Sequence, residues 1–393
     1  MPDDTKTSAT LFRLILDREQ EWQERMRMVH DAQRFLYIST YYLEYDPYGI
    51  EFLDGLIAAC QRQVQAVLLI DGFGQWLAGN LMTKASERAL REKLKLLRDS
   101  GGHVVYYRPR KFLQRLCGTG FHSKYQMSEE GTAIFASGNI SKMSFDRWFE
   151  FALLVKGAVV VKMMEDFAKA LGQSDIDLTE AVAFIKDLPI ESTGDHMSLE
   201  FLAYHPSDDP SHLSPIRQKV QNTITRRLIE DIHAASESIL LTSFYYKPPA
   251  ELGQAVIQAA RRGVHVEIHH SHRDALGGVS TLPWVSAVAE YPTLLQEKIN
   301  IYEHTLGQHT KFVLIDDRCA WLGSYNFEHA ADDRLAEAMI VTSAPVAIDD
   351  IRHFFQTLRE DEATQHVRGD YMTSLSPGLK AYRLACLPVK RWL

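Results

Sequence analysis

Cysteine is scarce: Cys60, Cys117, Cys319 and Cys386 are the four in 393 residues. They are scattered, form no CxxC pair and show no zinc-type ligand spacing, which argues against a disulfide scaffold or a cysteine-held metal. They read as reduced or buried thiols, as in the cytosol. No run approaches the roughly 18 apolar residues of a membrane span. The first residues, Met-Pro-Asp-Asp-Thr-Lys, lack the basic start and apolar core of a signal peptide. Excess positive charge is also missing. The formal charge is −8, whereas a protein gripping a long nucleic-acid backbone is more often basic. A local basic groove would suffice for nucleic acid, so this lowers that reading without removing it. The expectation is a chain that is soluble or sits on a membrane surface. With 46% hydrophobic and 24% charged residues, it can form large cores, in two domains.

What is present is a repeated polar pattern. His309 and Lys311 stand two apart at the start of Phe312-Val313-Leu314-Ile315, so on a strand both side chains share a face. Ser324, Asn326, Arg334 and Glu337 follow. His122, Lys124, Ser137, Asn139, Arg147 and Glu150 precede these six residues by a constant 187 positions. Such register says that a unit has been duplicated and that each copy supplies half of one site. A cationic amine beside a titratable imidazole on a rigid element suits phosphate chemistry.

Around the motifs, strand-like runs alternate with helix-favouring ones. Strands are expected at Phe12–Ile15, Phe35–Tyr41, Val64–Ile70 and His103–Tyr107, with helices at Arg18–Ala32, Ile50–Arg62 and Ala85–Arg98. The alternation predicts a mostly parallel sheet with helices on its faces. The second half repeats the plan, with a helix over Pro215–Ala235 and a strand over Ile239–Tyr245. Tyr41-Tyr42 matches Tyr245-Tyr246, and Arg62-Gln63-Val64 matches Arg262-Gly263-Val264. Residues 1–172 and 198–360 are the expected domains, 173–197 a linker, and 361–393 a basic-apolar tail ending in Leu387–Leu393.

Two His-x-Lys motifs with following Ser-x-Asn resemble the phospholipase D superfamily and its paired HKD motifs. The second copy carries the whole pattern, with Asp316 and Gly323. The first has Glu129 for the acid and Ala136 for the glycine. Within the superfamily the chain is most similar to bacterial cardiolipin synthases and phosphatidylserine synthases, on Tyr41-Tyr42, Asp46-Pro-Tyr-Gly49, Gln61 to Val64 and Ile70-Asp71-Gly72-Phe73-Gly74. The resemblance implies two similar α/β domains with pseudo-two-fold symmetry and an active site in the cleft between them.

It also implies a phosphatidyltransferase that works through a phosphohistidine and needs no cofactor or metal. The catalytic residues would be His122, Lys124, Asn139, His309, Lys311, Asp316 and Asn326. Glu129, Ser137, Glu150, Ser324 and Glu337 would support them, the two glutamates at 150 and 337 by holding histidine tautomers. Lysine and asparagine donors preorganised on phosphate oxygens matter greatly; losing one costs roughly 10²–10³ in rate. By analogy His122 is the nucleophile and His309 the acid and base, although the symmetry of the copies leaves the reverse open. The acceptor could be phosphatidylglycerol, water or serine, and a nuclease is the alternative of another class.

Other clusters have weaker readings. Arg108, Arg110, Lys111 and Arg115 lie among Phe112, Leu113 and Leu116. This suits a loop that meets anionic headgroups while its apolar residues dip into the interface, although a plain solvated loop has the same composition. The Leu387–Leu393 tail admits the same pair of readings. The phospholipid substrate and the membrane are the expected partners, with a peripheral location on the cytoplasmic face. Arg147 and Arg334 are expected to pair with Asp146 and Asp333. His265, His269, His270 and His272 have no forced ligand geometry, and His270 is placed near the pocket mouth.

Overall fold

The computed structural model describes residues 5–109, 111–172, 174–188, 196–208, 222–276 and 281–386. Arg110, the start of the helix expected from Pro215, the Pro189–Gly194 stretch and the Leu387–Leu393 tail lie outside them. The chain divides into two compact units, Met1–Ala203 and Tyr204–Leu393.

Runs of β-branched and aromatic residues form the first unit's strands. They are β1 (Lys6–Ala9), β2 (Leu11–Ile15), β3 (Phe35–Thr40), β4 (Gln65–Asp71), β5 (His103–Tyr107), β6 (Gly120–Phe121), β7 (Lys124–Ser128), β8 (Thr132–Ala136), β9 (Ala152–Lys156) and β10 (Met197–Tyr204). Helices are α1 (Arg18–Asp31), α2 (Pro47–Gln61), α3 (Gly72–Leu81), α4 (Lys84–Asp99), α5 (Phe112–Leu116), α6 (Lys142–Asp146), α7 (Ala158–Leu171) and α8 (Thr179–Lys186). The sheet order is β2-β9-β8-β7-β3-β4-β5, and β1 pairs with β10. Leu36, Ile38, Leu68 and Ile70 face Val29 of α1, Phe52 and Leu56 of α2 and Leu94 of α4 in one core. On the other face Tyr37 stacks on Phe167 of α7.

The second unit repeats this. Its strands are β11 (Ser238–Thr242), β12 (His265–Ser271), β13 (Asn300–His304), β14 (Phe312–Ile315), β15 (Cys319–Gly323), β16 (Leu335–Thr342) and β17 (Thr364–Val367), ordered β16-β15-β14-β11-β12-β13-β17. Its helices include α9 (Thr223–Ala234), α10 (Ala250–Arg261), α11 (Thr281–Val288), α12 (Tyr291–Gln296), α13 (His329–Asp333) and α14 (Pro345–Glu360).

Both sheets are mixed, which corrects the mostly parallel expectation. β3-β4-β5 and β11-β12-β13 are parallel, joined by helices. The motif strands are antiparallel to each other and to β3 or β11. A three-residue connection such as Glu129-Glu130-Gly131 is far too short for a parallel crossover. Two shared sequence features have a structural purpose. Arg62 Nη2 donates to the carbonyls of Val29, His30 and Ala32, and Arg262 Nη2 to those of Ile232, His233 and Ala235. Each arginine therefore satisfies carbonyls at the end of α1 or α9, where the helix leaves them without partners.

The ladders also correct one match. Leu36 pairs with Ser128 and Ile239 with Ile315. With the motif strands fixed at 187, β3 and β11 are equivalent at 203, not 204. Tyr41 therefore corresponds to Phe244 and Tyr42 to Tyr245. A one-residue slip would turn every side chain to the opposite face of the sheet.

Candidate active site

Each motif histidine stands where its hairpin begins. His122 precedes β7 and His309 precedes β14. Lys124 Nζ donates to the His122 carbonyl at 2.7 Å, and Lys311 Nζ to the His309 carbonyl at 2.5 Å. Both lysines are buried, and a buried ammonium needs such oxygen partners. The imidazoles pack edge-on against aromatic rings, His122 on Tyr41 at 4.9 Å and His309 on Phe244 at 5.0 Å. Lys124 Nζ also lies 5.7 Å from the Tyr41 ring.

The other repeated residues come from the turn after β8 or β15. Ser137 Oγ donates to Glu150 Oε2 at 2.6 Å and accepts from Phe151 N at 2.9 Å. Ser324 Oγ likewise donates to Glu337 and accepts from Ala338 N at 3.0 Å. These serines lock the turn to the adjacent strand and hold a buried carboxylate beside it. Asn139 Oδ1 accepts from Tyr42 N at 3.4 Å, and Asn326 Oδ1 from Phe244 N at 3.1 Å. With the oxygen engaged by backbone, Nδ2 is the donor end of each amide.

Asp316, which the family resemblance places among the catalytic residues, is held here by backbone amides. It lies past the end of β14, the length of the strand away from His309. Its carboxylate accepts from Ser236 N (2.9 Å), Glu237 N (2.8 Å) and Ser238 N (3.0 Å). Burial would raise its pKa, but these backbone donors outweigh that and bring it to about 2. Glu129 does the same work, accepting from Gln33 N at 2.6 Å and Phe35 N at 3.3 Å. Both acids fasten the motif hairpin to the start of the neighbouring strand. Glutamate replaces aspartate because either can reach two amides.

Further residues complete the cradle. Ser39 Oγ donates to Ser123 O and accepts from Tyr125 N, both at 2.9 Å. Its counterpart Thr242 accepts from Phe312 N at 2.8 Å. The signal was available in the sequence: hydroxyl pairs, Ser39-Thr40 and Thr242-Ser243, end equivalent strands. Asp71 is buried, accepting from Gly74 N at 2.7 Å and Phe121 N at 2.8 Å. Burial pushes its carboxyl up to about 7, against the pull of those amides and of Lys124. Ser271 takes its place in the second unit, accepting from Gln308 N. The copies differ at another equivalent position. Glu44 is pushed up to about 7 by burial and by Asp46, whereas Lys247 pairs with Glu328 at 3.3 Å.

Arg334 meets Asp333 at 3.2 Å. His270 is buried rather than at a mouth, with Nε2 on Tyr291 OH at 2.7 Å and Nδ1 on Ser271 O at 3.0 Å. His269 is buried between Glu267 and His304. Among the described residues no group of three His, Cys, Asp or Glu is placed to hold a metal. Arg108, Lys111 and Arg115 are exposed at α5, with Arg108 above the Tyr106 ring and Arg115 Nε on Pro109 O.

Two α/β units, each presenting His and Lys at the start of a hairpin and Ser and Asn in the turn that follows it, define an enzyme of the phospholipase D superfamily. The family model described as "Cardiolipin synthase, PLD-like domain" matches residues 26–171 and 228–359, and the chain belongs to that family. It is 23% identical over 369 residues to cardiolipin synthase B of Salmonella typhimurium, covering 89% of this chain and 79% of that one. It is 20% identical over 365 residues to the probable cardiolipin synthase YwiE of Bacillus subtilis, covering 89% and 66%. The fold is similar to the crystal structure of phosphatidylserine synthase from Haemophilus influenzae, with a TM-score of 0.71, 14% identity, and coverage of 98% and 96%.

Proposed function

We propose that the chain is a phosphatidyltransferase of the cardiolipin synthase kind, using both polar sets on one phosphodiester. The observation that carries this reading is the duplicate His-Lys-Ser-Asn set, in which the lysine and serine of each unit are held by equivalent contacts. His122 attacks phosphorus through an imidazole nitrogen. A P–N bond forms, the P–O bond to the leaving alcohol breaks, and His309 gives that alcohol its proton. His309 then removes the proton of the incoming alcohol, whose oxygen displaces the His122 nitrogen. Imidazole suits both steps because its ordinary pKa is about 6.5. Lys124, Lys311 and the asparagine Nδ2 groups hold the phosphate oxygens as charge shifts. Glu150 and Glu337 hold the histidine tautomers.

With phosphatidylglycerol as both donor and acceptor, the products are cardiolipin and glycerol. The reaction runs at the cytoplasmic membrane surface, where Arg108, Lys111 and Arg115 meet anionic headgroups. The test is incubation with labelled phosphatidylglycerol and a panel of alcohols, followed by resolution of the lipid products. Cardiolipin formation is expected. Phosphatidic acid alone would make the enzyme a hydrolase, and no lipid turnover would overturn the reading.

A further inference from the structure

The second copy passes from His304, the end of β13, to His309 in five residues, whereas the first passes from the equivalent Tyr107 to His122 in fifteen. The additional chain forms α5. Its apolar side chains are not folded inward: Phe112 is 72% exposed, Leu113 60% and Leu116 71%. Beside it runs α3, which exposes Trp76 (61%), Leu77 and Leu81. The two are neighbours. A Cβ on Gly118, just after α5, would come within 3.1 Å of the Phe73 ring, and Phe73 stacks on Trp76 at 5.7 Å. Gly72, the first residue of α3, likewise abuts the Arg108 side chain. Six of the eleven large apolar side chains that are exposed among the described residues therefore lie on two adjacent short helices. Clustering of this kind marks an interaction surface, unlike scattered exposed leucines.

Charge identifies the occupant. The chain is acidic overall, at −8, yet residues 72–86 and 108–121 contain no Asp or Glu. They contribute Arg108, Lys111 and Arg115, all exposed, while Lys84 is paired with Glu87 at the start of α4. Apolar residues flanked on the α5 side by exposed cations, with a tryptophan among them, fit the headgroup layer of an anionic bilayer. We propose that α3 and α5 together form a bilayer-docking surface selective for anionic phospholipid, with Trp76 and Phe112 entering the interface. It deepens the lipid reading of the active site and rests on it. The surface is joined to the chemistry through Asp71, whose carboxylate accepts from Gly74 N in α3 and from Phe121 N, the residue before His122.

The test uses the full chain carrying His122→Ala, so binding is read without turnover. Co-sedimentation with vesicles of phosphatidylglycerol and phosphatidylcholine, and with phosphatidylcholine alone, gives the selectivity. Binding to the anionic vesicles only is expected. Trp76→Ser should weaken it about tenfold, the scale of one large side chain left in water, and Leu113→Ser/Leu116→Ser, which removes two, about a hundredfold. Leu96→Ser, exposed on α4, should leave it unchanged. In a Trp76→Phe comparison, brominated lipid should quench less fluorescence while binding persists. Equal binding by all variants would overturn the proposal, as would vesicle binding without composition dependence. A dimer that Trp76→Ser dissociates, with vesicle binding unaltered, would overturn it in favour of a second copy of the chain. A protein that binds vesicles yet, with His122 intact, makes no lipid product would instead count against the proposed reaction.

Discussion

Replacing Asp316 by asparagine separates chemistry from architecture at the motif acid. The carboxylate is 4% exposed and accepts three backbone N–H groups within 3.0 Å. An asparagine could keep its oxygen toward Glu237 N and Ser238 N, but its Nδ2 would then face Ser236 N, donor to donor. Against burial, which would raise it, backbone donors lower the native carboxyl to about 2 from 3.8, which corresponds to about 2–3 kcal/mol. Ser236 and Glu237 lie at the surface, and rehydration of their amides reduces the expected loss to about 2 kcal/mol. That lowers the second unit's melting temperature by roughly 4–8 °C. The sign follows from linkage. A depressed native pKa stabilises above the unfolded value, so the difference between wild type and variant should persist at neutral pH. It should vanish as pH falls from about 4 through about 2. Calorimetry across pH, with kcat measured well below the melting temperature, tests both parts. The variant should retain kcat within a few-fold. A drop of a hundredfold or more at unchanged stability would place Asp316 in the chemistry and refute the structural assignment.

Four further outcomes follow from named contacts. His122→Ala and His309→Ala should each abolish product formation, and substantial turnover by either would mean that the two sets do not share a reaction. Ser324→Ala removes one hydrogen-bond partner from Glu337 and one from the Ala338 amide; we expect a loss of about 1–3 kcal/mol in stability together with reduced kcat, read by urea titration and lipid assay. Arg262→Met removes three carbonyl partners from the end of α9 and should lower the urea midpoint of the second unit with KM unchanged. His269, His270 and His304 have pKa values lowered mainly by burial. The unfolded chain takes up these protons first, so stability should decline as pH falls through the ordinary histidine range, by at most about 1.4 kcal/mol per pH unit for each residue. Urea midpoints that do not fall between pH 7.5 and 5.5 would contradict neutral burial.

The sequence displayed some of this plan and hid the rest for physical reasons. The motif blocks kept one register because each is a continuous hairpin, turn and strand. An insertion there would break the Ser137–Glu150 or Ser324–Glu337 contact. Upstream, helices and loops tolerate changes in length, so the offset moves from 203 at β3 to 200 at β4 and 197 at β5. The Tyr-Tyr match was off by one because identity favoured Tyr245 while the ladder and the ring against the motif histidine select Phe244. Asp316 entered the catalytic set through the motif resemblance, and a pattern of letters does not show that β14 stands between it and His309. Helix α3 was invisible for another reason: Gly-Phe-Gly-Gln-Trp-Leu-Ala-Gly has three glycines and an apolar pattern with no polar face to give a period. That missing polar face and the exposed side chains are one fact seen twice. Divergence between the copies thus spares the His, Lys, Ser and Asn of the motifs and falls around them: in the ten additional residues before His122, in α3, in the ring on the histidine (Tyr41 or Phe244), and at Asp71 against Ser271 and Glu44 against Lys247.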